Sequence, residues 1–193
     1  MREWDLARVR KMDGWASPFF DEAVRRRRWA FAADWLRFQA LYAEGGVYLD
    51  FDLELVRPLR EVFGGEWCAG QWLPGGRIGY EPGAGLALER GSPVAAAVLA
   101  RLRRGYAEQP AGEALTDALA ESGLPALRML PPEVMCPLDL SGHSHADCRT
   151  VAVHHFAMSW ASPRRKLARW LNWHGCRPLV DAALRFRSLV RFS

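Results

Sequence analysis

The chain predicts a single α/β domain, a mixed or mainly parallel sheet flanked by helices. Three observations lead there. Apolar stripes of helical period alternate along the sequence with short β-branched and aromatic runs. Gly and Pro clusters fall between them, at Gly45-Gly46, Gly64-Gly65, Pro74-Gly75-Gly76 and Pro82-Gly83. The length of 193 residues suits one sizeable core rather than two. No uncharged apolar run of about 18 residues occurs, so no membrane span is expected. Arg2, Glu3, Asp5 and Arg8 rule against a signal peptide. Cys68, Cys136, Cys148 and Cys176 form no C-x-x-C pair. Free thiols in a reducing compartment, hence a cytoplasmic protein, are expected.

In chain order, residues 21–31 are expected to form a helix leading into a central one. The run Arg25, Arg26, Arg27, Arg28 has no aromatic interleaving beyond Trp29, so it reads as a solvated face and no nucleic-acid partner is expected. In the central helix Phe31, Trp35, Phe38 and Tyr42 recur at spacings of four, three and four, one apolar stripe. Gly45 supplies its stop. Val47-Tyr48-Leu49 is too short for anything but a strand, and residues 53–56 continue extended until Arg57-Pro58. Residues 67–72 form a further short segment between glycine loops. Ser92-Pro93 opens a helix to about residue 104, Ser as N-cap and Pro at the first turn. A second helix covers residues 113–121 and stops at Gly123. Residues 127–129 and 134–136 read as short strands, residues 141–149 as a polar loop, and residues 150–156 as a strand ending in His154-His155. Helices follow Pro163 and Pro178.

The chemistry concentrates after the central helix. Asp50 and Asp52 follow Val47-Tyr48-Leu49 with period two, which sends both carboxylates to one face and Phe51 to the other. Two carboxylates so placed repel unless a cation lies between them, and hard oxygen ligands suit Mg²⁺ or Mn²⁺. Asp34 and Arg37 are one helical turn apart, either a structural ion pair or a polar pair placed to hold sugar hydroxyls. His154 and His155 leave a strand on opposite faces, so one of them can join the carboxylates as a ligand. Glu54 lies on the face of Asp50 and Asp52 and reads as a solvated rim charge rather than a ligand.

Ala33-Asp34-Trp35-Leu36-Arg37, Leu41-Tyr42 and Gly45-Gly46-Val47-Tyr48-Leu49-Asp50-Phe51-Asp52 closely resemble the D-x-D sugar-binding signature of family 32 glycosyltransferases. That group includes initiating α-mannosyltransferases and bacterial polysaccharide enzymes. Leu86 to Pro93, Gly112 to Thr116, and Val153-His154-His155-Phe156-Ala157-Met158-Ser159-Trp160 look like the family's later elements, the last like its closing His-x-x-x-Ser-Trp. The resemblance spans residues 20–162. It implies a GT-A-like (Rossmann-like) fold and a retaining transferase that takes a hexose from a nucleoside-diphosphate sugar donor, with Mn²⁺ or Mg²⁺, to a glycan or lipid-linked acceptor. Asp50 and Asp52 would be the catalytic pair. Asp34, Arg37 and Tyr48 would hold the donor, and Asp50 would contact ribose or sugar and, through water, the metal. Asp52 would bind the metal directly, with His154 as third ligand and His155 in reserve. Ser159 and Trp160 would close over the diphosphate. Two departures stand out: Ala33 replaces the usual Ser, and only 33 residues precede Asp34, so the family's first strand is expected to be absent.

Residues 1–162 are thus expected to be the glycosyltransferase domain and residues 163–193 a separate basic appendage. That tail has eight basic residues against one acid, leaving the rest of the chain net acidic although the whole is +4. Its apolar residues, Trp170, Trp173, Leu184 and Phe186 among them, read either as amphipathic helices covering the sheet or as an interfacial helix on an anionic membrane surface. The second would make the protein peripheral at the membrane's inner face. Three rivals remain: a truncated, inactive domain that binds sugar nucleotide or a partner; a metal-dependent nucleotide-diphosphate hydrolase; and, for Cys136, His143, His145 and Cys148, a zinc site.

Overall fold

Residue 67 opens the strand on which the sheet is assembled, and its side chains alternate between two cores. In the computed structural model, which describes residues 17–139 and 143–156, this strand is β3 (Trp67–Trp72). Before it come α1 (Pro18–Arg25), α2 (Trp29–Glu44), β1 (Gly46–Tyr48), β2 (Leu53–Leu55) and a 3₁₀ turn (Leu59–Val62). After it come β4 (Ile78–Tyr80), β5 (Leu86–Leu88), α3 (Pro93–Arg103), α4 (Ala111–Ser122), β6 (Arg128–Leu130), the single-turn α5 (Pro132–Met135) and β7 (Ala152–His154).

β3 runs antiparallel to β5 through Trp67 and Cys68 and antiparallel to β4 through Gly70 to Trp72, while β6 pairs with it in parallel. β1 extends the sheet antiparallel to β5, and β2 and β7 form a separate antiparallel pair. The sheet is therefore mixed and, among the described strands, mainly antiparallel rather than mainly parallel. Short turns such as residues 73–77 connect β3 to β4, and only antiparallel neighbours can be joined that tightly.

Strand alternation divides the apolar residues. Cys68, Leu86 and Leu88 face a core built with Phe19, Trp35, Phe38, Val98, Leu99 and Leu115 from the helices. Trp67, Ala69 and Ala87 face a second core with Leu130, Val134, Met135, Cys136, Val151 and Ala152. Helices thus flank a mixed sheet in one domain.

Local expectations fare unevenly. Ser92 caps α3, its Oγ accepting from the amides of Val94 and Ala95, and Gly123 ends α4 in the left-handed conformation. Gly45 ends α2 at φ 67°, and a Cβ there would stand 2.7 Å from the Arg90 amide. No side chain fits. The expected continuous helix over residues 21–31 breaks at residues 26–28, where Arg27 takes φ 56° and the Arg28 amide bonds back to Ala23. Arg25 and Arg26 pair with Glu22, and Arg28 with Glu108, which holds the basic run on the surface. Residues 134–136 are not a strand. Pro132 starts a helical turn there, because its fixed φ suits a first turn. In α2, Trp35 and Phe38 are fully buried, but Tyr42 is 40% exposed and Ala32 and Leu41 take up the burial instead. No helix among the described residues is long and apolar enough to cross a membrane.

Candidate functional site

The acids meet in a turn, not on a strand. β1 ends at Tyr48, and Leu53 donates its amide to the Asp50 carbonyl at 3.2 Å, closing residues 50–53 into a tight reversal. The turn, rather than strand alternation, sets both carboxylates on one side and leaves Phe51 fully in solvent. β2 then pairs with β7 in a register that sets Leu53 opposite His154, and the His155 amide donates to the Asp52 carbonyl at 3.0 Å. This pairing brings His154 to the acids across 102 residues of chain.

His154 Nε2 lies 3.2 Å from Asp52 Oδ1 and 3.8 Å from Asp50 Oδ2. One donor atom from each of the three residues falls within 4.8 Å of the others, which no other trio of His, Cys, Asp or Glu achieves among the described residues. The set fits a divalent cation: two carboxylate oxygens and one imidazole nitrogen, from a buried ring that leans against Phe156 with centroids 4.3 Å apart and planes tilted by 53°. Burial lowers the His154 pKa below the usual histidine value against the pull of Asp52 and Asp50, so at neutral pH the ring is neutral, the form that ligates. Its Nδ1 finds no partner among the described residues. His155 turns the other way and meets Glu54 at 3.0 Å, both half or more exposed. His155 is therefore apart from the trio, and Glu54 sits at the rim as a solvated charge.

Behind Asp50 stands a buried cation. Arg37 Nη2 lies 3.2 Å from Asp50 Oδ1 and 3.3 Å from Asp34 Oδ1, with its guanidinium 4.4 Å over the Tyr48 ring. The Tyr48 hydroxyl donates to Asp50 Oδ1 at 2.8 Å. Burial opposes charge on Arg37, but Asp34, Tyr48 and Asp50 outweigh it, so the guanidinium holds its proton more tightly than usual. Burial pushes Asp34 up to about 6 despite Arg37, since one guanidinium shared by two acids does not fully offset the lost hydration. Burial likewise raises Tyr48 to about 12 and keeps it a donor. The Asp34–Arg37 ion pair is thus real, and it is joined to Asp50 rather than isolated on its helix.

Sequence reasoning missed one acid. Glu81, at the end of β4, lies beside this cluster, and burial lifts its carboxyl to about 7, partly offset by Arg37 and by the Gly83 amide. A Glu-Pro-Gly turn gives no signal of its chemistry, since only the packing of residues 81–85 under Asp50 places it there.

The zinc constellation does not assemble. Cys136 is turned into the second core, Cys148 is exposed, and His143 and His145 both face Asp139, at 3.9 and 3.2 Å. Cys68, Cys136 and Cys148 form no disulfide among the described residues. Ser159, Trp160 and the 163–193 tail lie outside the described residues.

Residues 3–71 match the family described as glycosyltransferase sugar-binding region containing DXD motif. The match supports a glycosyltransferase. It covers α2, β1 and the Asp50–Asp52 turn, and the mixed, helix-flanked sheet is consistent with a GT-A-like fold. A transferase domain of this class implies a sugar-nucleotide donor, and such domains typically bind a divalent metal. No curated protein matches this chain.

Proposed function

We propose that this chain is a metal-dependent, retaining glycosyltransferase of family 32 type, an initiating α-mannosyltransferase-like or bacterial polysaccharide enzyme. It moves a hexose from a nucleoside-diphosphate sugar to a glycan or lipid-linked acceptor. The observation that carries this reading is the convergence of Asp50, Asp52 and His154 within 4.8 Å, backed by a buried Arg37. Asp52, His154 and Asp50 would hold Mn²⁺ or Mg²⁺, which supplies Lewis-acid stabilisation of the departing diphosphate. Asp34 and Arg37 orient the donor sugar by charge-assisted hydrogen bonds, and Tyr48 fixes Asp50. Ser159 and Trp160 are assigned to the diphosphate from the sequence resemblance. With both D-x-D acids committed to cation and donor, the reading favours a front-side displacement. The acceptor oxygen bonds to the anomeric carbon as the bond to the diphosphate breaks, and the acceptor proton passes to the leaving phosphate.

Residues 1–162 would form the catalytic unit. The 163–193 segment would pack on it or dock on anionic lipid at the inner face of the membrane, which suits a lipid-linked acceptor. The test is thermal stabilisation by sugar nucleotides with Mn²⁺. Wild type should gain several degrees and Asp52→Ala none, whereas equal gains would remove the carboxylates from the site. Nucleoside diphosphate released only with acceptor present marks transfer. Release without acceptor marks a hydrolase, and binding without release an inactive domain.

A further inference from the structure

Glu81 is the one carboxyl of this cluster that the proposed reaction leaves without a task. It sits on a turn built to hold it still. The Glu81 amide donates to Ala69 of β3 at 2.7 Å, the Ala69 amide donates to Gly85 at 2.8 Å, and Ala84 donates back to the Glu81 carbonyl at 3.1 Å. Pro82 and Ala84 are fully buried beneath it. The same turn holds the first D-x-D acid, because the Asp50 amide donates to the Gly83 carbonyl at 2.9 Å. A Cβ on Gly83 would stand 2.5 Å from Asp50 Oδ2 and 2.9 Å from Glu81 Oε1. The two carboxyls therefore close over one bare Cα, on the side of Asp50 that faces His154. Glu81 Oε1 accepts from the Gly83 amide at 3.1 Å, whereas Oε2 has no hydrogen-bond partner among the described residues. Glu81 is not one of the three atoms that fit a cation, so it is not needed as a ligand.

We propose that Glu81 is a specificity-determining residue of the donor site, its uncommitted Oε2 hydrogen-bonding a hydroxyl of the donor hexose. The proposal rests on the glycosyltransferase reading above. A carboxyl held on a rigid turn beside Arg37 and Asp50 reads hydroxyl position, because a sugar lacking that hydroxyl leaves a partly buried oxygen unpaired.

The test separates sugar from nucleotide. With Mn²⁺ present, binding of UDP-glucose, UDP-galactose and GDP-mannose is measured calorimetrically against sugar-free UDP and GDP, for wild type, Glu81→Ala and Glu81→Gln. Glu81→Ala should weaken the preferred sugar nucleotide by about tenfold or more and the sugar-free diphosphate by less than about twofold. Glu81→Gln, which keeps an oxygen for the Gly83 amide and presents an amide nitrogen to a sugar hydroxyl, should stay within about threefold of wild type. Glu81→Ser carries the expectation of Glu81→Ala should the latter not fold. Unchanged sugar-nucleotide affinity in Glu81→Ala, or an equal loss for sugar-free diphosphate, overturns the proposal while leaving the transferase reading in place. Wild type that binds none of the sugar nucleotides overturns both.

Discussion

Replacing Glu81 by Gln removes one ionisable group from the wall of the site and exposes what its burial costs. The wild-type carboxyl ionises near 4.5 in the unfolded chain and at about 7 when folded, chiefly because burial disfavours its charge. Between those values the folded protein keeps a proton that the unfolded chain has released. Unfolding then releases a proton, so stability falls as pH rises through this window. The contribution is whole below 4.5 and gone above the folded value. A rise of that size corresponds to about 3 kcal/mol, an upper limit because the side chain is not fully enclosed. Gln stays neutral throughout, so Glu81→Gln should exceed wild type in stability by up to about 3 kcal/mol at about pH 8. At about pH 4 the two should agree to within about 1 kcal/mol. Urea unfolding followed by tryptophan fluorescence suits the measurement, since Trp35 and Trp67 are fully buried. Parallel stability–pH curves, or a Gln variant weaker at high pH, would refute the reasoning. The first result would mean that Arg37 fully compensates the ionised carboxylate, and the second that it more than compensates it.

Arg37→Met should destabilise the protein by about 3–5 kcal/mol near neutral pH, because Asp34 and Asp50 lose their shared cation while staying partly enclosed. The deficit should shrink at about pH 5 as Asp34 takes up its proton, and urea titrations at the two pH values read both effects. Gly83→Ala should fold and unfold cooperatively but lower Mn²⁺ affinity by about 10–100-fold in calorimetry. Its methyl needs the space that Asp50 Oδ2 occupies at 2.5 Å, and unchanged affinity would show that Asp50 moves aside freely.

Much of the site was legible along the chain because its parts are local. Asp34 and Arg37 share a helical face by period alone, and Gly45-Gly46 before Val47-Tyr48 marks where a helix stops and a strand begins. Asp50 and Asp52, two residues apart, had to lie close whatever the backbone did. Yet the reason they share a side is the turn closed by the Leu53 amide, which the period-two argument did not anticipate. Ser92-Pro93 likewise specified its helix start, since capping needs only the next two amides.

What the sequence by itself determined, then, is every feature whose cause lies within a few residues: helix faces, caps, the glycine stop, and the closeness of two neighbouring carboxylates. Tertiary structure alone decided which imidazole meets them, because a β2–β7 register, not a local pattern, turns His154 inward and His155 to Glu54. It also decided that the sheet is mainly antiparallel among the described strands, and that Glu81 joins Arg37 and Asp50. The physical reason is common to all three. Strand pairing and burial depend on what packs opposite a residue, and that partner is distant in the chain and carries no mark in the residue's own neighbourhood.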